Sequence, residues 1–549
     1  MHLRIPFVLI LCSMLVSESS GSSLQKKDTI LFLNAQIYTV DDVFSTADAM
    51  VVAEGRIVET GTAGNLRAKY RADAIIDLGG KYVYPGFIDS HCHFLYYGLG
   101  LQEADLTGTS SVEEIMTRLR GSGSKRNGQW ITGRGWDQND WESKMYPNRQ
   151  MLDSIFPDLP VYLTRIDGHA AWVNTAALKM AGITSQTRVK GGRVVLENGA
   201  PSGILIDNAM NLVSRLIPPP DLPAKREALL EAQTNCFAVG LTMVCDAGLG
   251  YQEVSLIDSL QKDGRLSMRI YAMLEPTKEN FNHFISRGIY RTDRLSVRSI
   301  KLFADGALGS RGALLLEPYT DDPQSRGLQI EPAGYYRKIC QKAWKYGYQV
   351  NTHCIGDAAN RMILNVYGEV LKGKNDLRWR IEHAQVIHPS DFQKFAKFSI
   401  IPSVQTTHAV SDMSWAVNRL GAERMKYAYA YKMLLQQNGW LANGSDFPVE
   451  DINPLQGFYA AVARKNPAGQ PAGGFQMENA LTREEALRAM TIWAARAAFE
   501  ESSRGSLESG KWADFVVLDT DLMRAPLEKI PEAKVFSTWI GGVAVYQRK

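Results

Sequence analysis

The chain has 549 residues, 45% of them hydrophobic and 22% charged, with a formal net charge of +3. These values exclude a disordered or fibrous chain and describe a globular protein long enough for two or more structural units. So small a net charge, with no long Lys/Arg run, leaves no reason to expect nucleic acid as a partner.

The chain starts with MHLRIPFVLILCSMLVSESSGSS: a short basic start (His2, Arg4), an apolar run from Ile5 to Val16, then small and polar residues. That order predicts a secretory signal peptide over 1–23, and hence an exported protein, periplasmic or secreted. The apolar run is too short to span a bilayer, and no other stretch is long and apolar enough, so no membrane span is expected. Cys12 follows LIL, a poor context for lipoprotein cleavage. The remaining cysteines (Cys92, Cys236, Cys245, Cys340, Cys354) have the spacing of neither a disulfide framework nor a zinc knuckle, and read as small buried hydrophobes.

Residues 29–60 alternate as short strands, TILFLNAQIYTV and then DAMVVAEGRIVETG, and the C-terminus repeats that texture in DFVVLDTD and VFSTWIGGVAVYQ. The two chain ends, 24–80 and 505–549, therefore predict one composite β-sandwich domain. Between them, 81–504 reads as α/β. Short apolar runs recur at 82–88, 240–246, 269–275, 297–303, 348–353, 378–383, 399–405 and 440–446, mostly separated by helical patterns such as DAANRMILNVYGEVLKG. Eight strand–helix repeats predict a (β/α)8, TIM-like barrel. Residues 94–222 are too long for a crossover and predict an inserted subdomain over the barrel mouth, with IPPPDLP (217–223) leading back into the barrel. Residues 406–436 form a smaller excursion.

In such a barrel the C-terminal strand ends carry the active site. The first predicted strand ends in His91 and His93, the fourth carries Lys301, the fifth ends in His353, the sixth in His383, and the eighth in Asp446. On an extended chain, residues two apart point the same way, so both imidazoles of His91 and His93 can reach one ion while Cys92 faces away. Imidazoles and a carboxylate suit a zinc-like cation. Each residue alone has an ordinary reading as a core histidine, a salt-bridged lysine or a turn aspartate. Their convergence on one end of one barrel is what points to a metal site. A buried Lys301 can join it only by losing its positive charge, as a neutral amine or as an anionic carbamate formed with carbon dioxide.

Six motifs in order, PGFIDSHCH, KLFADGALGSRGA, HCIGDAA, RIEHAQ, NGSDFPV and GSLESGKWADFVVLD, resemble the metal-dependent amidohydrolase superfamily, and within it the YtcJ-like branch that includes N-substituted formamide deformylases. The resemblance runs from about residue 29 to the end. It implies a (β/α)8 barrel with a composite β-sandwich and one or two divalent metal ions, zinc being the expected one. It further implies that His91 and His93 bind one metal, that Lys301 bridges as a carbamate, and that His353 and His383 bind a second. Asp446 would contact the first metal and transfer protons. Cys354 departs from the alanine common in that branch, on a strand face turned away from His353.

The expected reaction is hydrolysis of a C–N bond in an amide-like small molecule (N-formyl, N-acyl or cyclic) by metal-activated water, with Asp446 taking and returning the proton. Ester, lactone or phosphoester hydrolysis on the same site, and a non-catalytic binding scaffold, are the alternatives. Trp136, Asp137 and His169 in the insert, Arg311 after the lysine strand, and Gln405 after the seventh strand are the candidate substrate contacts. Arg165 and Asp167 lie beside them in the insert, and His408 follows Gln405 as a supporting group. Oligomeric state is left open, a homodimer being one form.

Overall fold

Alternation along Thr29–Tyr38 sends Leu31 and Leu33 to one side, with Ala49, Val51 and Leu66, and Phe32 and Ile37 to the other, with Met50, Val52 and Phe515. A computed structural model describes residues 29–121, 126–127 and 129–549. The expected signal peptide lies outside the described residues. Thr29–Tyr38 pairs antiparallel with Ala49–Ala53 and parallel with Ala74–Pro85, which pairs in turn with Phe515–Leu518. Both chain ends thus share one eight-stranded sheet.

This pairing corrects the expected first barrel strand. The run 82–88 serves two elements: it stays in the composite sheet to Pro85, and the barrel begins at Phe87. The barrel strands are β1 (Phe87–Cys92), β2 (Leu241–Leu249), β3 (Arg269–Leu274), β4 (Leu295–Phe303), β5 (Gln349–Cys354), β6 (Arg380–His383), β7 (Ile401–Gln405) and β8 (Ala442–Gly444). They pair in parallel from β1 through β8. After β8 the Asp446 amide donates to the His91 carbonyl at 2.8 Å, which brings the two ends of the sheet together.

Apolar residues on the outer strand faces, such as Ile300, Leu302, Val350 and Cys354, join the core under the helices. Their neighbours Lys301 and His353 are thereby turned inward. Asp221 caps the helix Leu222–Ala238, its side chain accepting from the Ala224 amide at 2.8 Å, so the proline-rich stretch ends where the return helix starts.

The segment between β1 and β2 builds a separate seven-stranded sheet, from Ala104–Asp105 to Ala200–Asp207, with its own core around Trp136, Leu163, Trp172 and Ile206. The excursion after β7 consists of helices His408–Ser411, Ala416–Met425 and Tyr431–Asn438. Among the described residues, no helix is long and apolar enough to cross a membrane.

Candidate metal centre

His91, His383 and Asp446 form the tightest group, with one ligand atom from each lying within 4.8 Å of the others. His93 joins through Asp446: its Nε2 is 3.3 Å from Asp446 Oδ1, and His91 Nε2 is 3.4 Å from the same oxygen. Lys301 Nζ donates to His91 Nε2 at 2.9 Å. His353 stands beside His383, ring centres 4.6 Å apart, with its Nε2 toward the Gly306 carbonyl at 3.4 Å. All six residues share one end of the barrel.

The opposite ring nitrogens decide what these histidines offer. His93 Nδ1 donates to the Ala247 carbonyl at 3.0 Å, and His91 Nδ1 to Glu382 Oε2 at 2.5 Å. His383 Nδ1 donates to Gln405 Oε1 at 2.7 Å. Each Nε2 is left as an acceptor, that of His91 taking the Lys301 hydrogen bond, the arrangement that carboxylate and carbonyl partners impose on metal-binding imidazoles. Two such acceptors face Asp446 Oδ1, a buried oxygen without a hydrogen-bond partner. Lone pairs set against a carboxylate repel unless a cation lies among them, so the donor set fits a divalent ion.

Burial leads the electrostatics. It pushes His93 down, and His353 and His383 well down, so all three stay neutral ligands. Burial also brings Lys301 down to about 8. Asp446 and His383 adopt positive φ, 62° and 71°, conformations that are costly for non-glycine residues and are met at functional sites.

Above the centre lies a cavity of about 710 Å³, lined by barrel ends and insert alike. Asp137 and His169, two of the expected substrate contacts, line it. Asp137 pairs with the buried Arg165, which also holds Asp167 at 2.5 Å. His169 Nδ1 meets Asp207 Oδ1 at 2.7 Å; although burial disfavours its charge, Asp207 outweighs this and raises His169.

Three expected substrate contacts are corrected. Trp136 is fully buried in the insert core, its indole donating to the Leu163 carbonyl at 2.9 Å. Arg311 does not line the cavity; its guanidinium pairs with Asp321 at 3.0 Å. Gln405 is buried and does not line the cavity; its Oε1 accepts from His383 Nδ1.

Several supporting groups were not foreseen. Glu382 orients His91. Asp246 accepts from the Phe94 amide at 2.9 Å and anchors the helix that follows His93. Asp89 accepts from the His91 amide at 3.0 Å and the Ser445 hydroxyl at 2.6 Å, tying β1 to the Asp446 turn. Each is an acidic residue within or just after an apolar strand, and that is the signal that could have found them.

A family model described as amidohydrolase family matches residues 74–546. The chain belongs to the amidohydrolase family. Protein LONG AFTER FAR-RED 3 of Arabidopsis thaliana is 35% identical to this amidohydrolase over 536 residues, covering 94% of this chain and 91% of its own. YtcJ of Bacillus subtilis (strain 168) is 33% identical, covering 93% and 98%. The N-substituted formamide deformylase of Arthrobacter pascens is 27% identical, covering 94% and 98%. Among solved structures, an uncharacterized metal-dependent hydrolase of Pyrococcus furiosus superposes with a TM-score of 0.71 at 30% identity, over 90% of this chain and all of its own. With the donor set above, these findings make the chain a metal-dependent hydrolase of the amidohydrolase family.

Proposed function

We propose that this amidohydrolase cleaves a C–N bond in an amide-like small molecule, N-formyl, N-acyl or cyclic, using water activated at a zinc centre. The observation that carries the reading is the unpartnered Asp446 Oδ1 facing the acceptor nitrogens of His91 and His93. The name of the Arthrobacter relative supports the substrate class. His91, His93, His353, His383 and Asp446 would hold the metal, with Lys301 as a carbamate. When bound, a divalent ion supplies an acidified water and polarises a carbonyl.

Asp446 Oδ1 accepts a proton from water and returns it to the leaving nitrogen, so the amine departs neutral. Lys301 is 1% exposed, and its lowered pKa leaves a share of neutral amine able to add to carbon dioxide, losing a proton and gaining an anionic head. Glu382, Ala247 and Gln405 keep the imidazoles aimed. Export through the 1–23 segment is part of the same proposal, and an intact N-terminus on exported protein, seen by mass spectrometry, would refute it.

The central test is Lys301→Ala. Metal content and amide hydrolysis should fall together, and short carboxylic acids or bicarbonate should partly restore both by filling the vacated place. Full metal content with wild-type turnover would remove Lys301 from the centre. Hydrolysis of esters but of no N-formyl, N-acyl or cyclic amide by zinc-loaded enzyme would move the function to an esterase.

A further inference from the structure

The cavity wall built by the segments after β7 and β8 carries two carboxyls, Asp412 and Glu450, with which no Lys or Arg among the described residues forms a salt bridge. Asp412 is held by neutral donors: Tyr429 Oη donates to its Oδ2 at 2.7 Å and Gln385 Nε2 at 3.4 Å. Glu450 Oε1 accepts from the Ser411 hydroxyl at 2.6 Å. Among the described residues, neither carboxyl has a Lys or Arg nitrogen within 4.0 Å; for Glu450 the nearby basic group is His408. Asp137 and Asp167 differ in sharing Arg165, whose charge reaches Asp412 only at longer range and is opposed there by those same two acids. Hydroxyl and amide donors fix the positions of Asp412 and Glu450 without supplying a positive charge to pair with them.

A second observation is independent of these acids. His408 is 9% exposed and lines the cavity, and its Nε2 has no hydrogen-bond partner. That nitrogen stands 3.9 Å from Glu450 Oε1 and 4.0 Å from Asp446 Oδ2, between the carboxyl wall and the metal centre. A buried polar atom left unpaired costs stability in the free protein, and a ligand that pairs with it recovers that cost. Leu308, Ile355, Trp415 and Ile452 line the same cavity and suit an apolar spacer.

We propose that the substrate carries an ammonium or guanidinium group, a short alkyl spacer away from the bond that is cut, and that Glu450, Asp412 and His408 recognise that group. This names the substrate class of the site read above as a C–N hydrolase, and rests on that reading for the bond. Burial and the neighbouring acids push Glu450 up to about 8 and Asp412 up to about 7, a crowding that one incoming cation relieves. An anionic substrate would find no positive partner on this wall and would be repelled by either carboxyl when ionised.

The test uses three probes of matched shape: cationic N-acetylputrescine, neutral N-pentylacetamide and anionic N-acetyl-γ-aminobutyrate. Calorimetry on metal-loaded Asp446→Asn protein measures binding, and kcat/KM is measured on the wild-type enzyme. The cationic probe should bind about 10- to 100-fold more tightly than the neutral one, the value of a charge-assisted contact, with the anion weakest. Glu450→Gln should shrink the cation-to-neutral ratio about tenfold, and Asp412→Asn serves the same purpose if the first variant does not fold. Equal affinity for cation and neutral, a preference for the anion, no measurable binding of N-acetylputrescine, or an unchanged ratio in a folded variant would overturn the proposal. If the cation binds best but the wild-type enzyme cleaves none of the three, cation recognition stands and the C–N reading falls.

Discussion

His91 aims its Nε2 at Asp446 because Glu382, wholly buried, holds its other nitrogen. Replacing that carboxylate by an amide weakens the hold without removing bulk. Glu382→Gln should therefore weaken zinc binding about 10- to 100-fold, the usual cost of losing a partner of this kind, as read by competition with a chelator. The fold should persist, since Arg380 keeps its bonds to the Ser90 and Ala497 carbonyls at 2.9 and 2.8 Å. Unchanged zinc affinity would mean that the strand, not Glu382, orients His91. Asp446→Asn separates binding from chemistry: most of the metal should stay while kcat drops about 10²- to 10⁴-fold. Near-normal turnover would take Asp446 out of proton transfer. Both His91 and His93 were legible from their spacing. Glu382 was not, because strand alternation assigns the neighbour of His383 to the opposite face. The positive φ of His383 breaks that alternation and lets both residues serve the pocket.

Among the elements, the contact between β8 and β1 governs the centre. A Cβ on Gly444 would lie 2.5 Å from the His91 amide nitrogen and 2.6 Å from Asp89 Oδ1, distances that real side chains do not tolerate. Gly444→Ala should push the Asp446 turn away from His91, lowering both thermal stability and bound metal. Overpacking of this kind costs about 1–3 kcal/mol. A variant with wild-type melting temperature and metal content would show that β8 can move without disturbing the site. The same region explains the misplaced first strand. YVYPGFI is one apolar run in sequence but two elements in space, and its break falls where Pro85, lacking an N–H, closes the last pairing of the composite sheet.

At the scale of the whole molecule, the barrel and the composite sheet meet through a buried ion pair. Arg269 on β3 donates to Asp514 Oδ1 at 2.7 Å, with side chains 3% and 4% exposed. Burial opposes the charge on Asp514, but Arg269 outweighs it and depresses the carboxyl. A depressed acid stabilises the fold above its unfolded pKa of about 4, and that contribution is lost as pH falls through the lower folded value. Melting curves should therefore show an acid-labile share of stability below about pH 4. Asp514→Ala should remove that share and strand the buried Arg269, costing about 3–5 kcal/mol at neutral pH. A melting temperature unchanged at neutral pH would show that the two units do not depend on this pair.

Local chemistry carried by the residues themselves determined a good deal. The alternation of apolar residues set the strands and helices, and motif order located the barrel and the six residues that gather at one end of it, because each depends on neighbours along the chain. The insert's contribution could not be read that way. Trp136 looked like a substrate contact until the insert folded around it as core. Gln405 and Arg311 became partners of His383 and Asp321 across gaps of 22 and 10 residues. Tertiary structure alone brought Glu450, from the segment after β8, onto one cavity wall with His408 and Asp412 from the segment after β7. Their meaning lies in which charges face one another without a counter-ion, a property of three-dimensional proximity and shared burial that no linear spacing encodes.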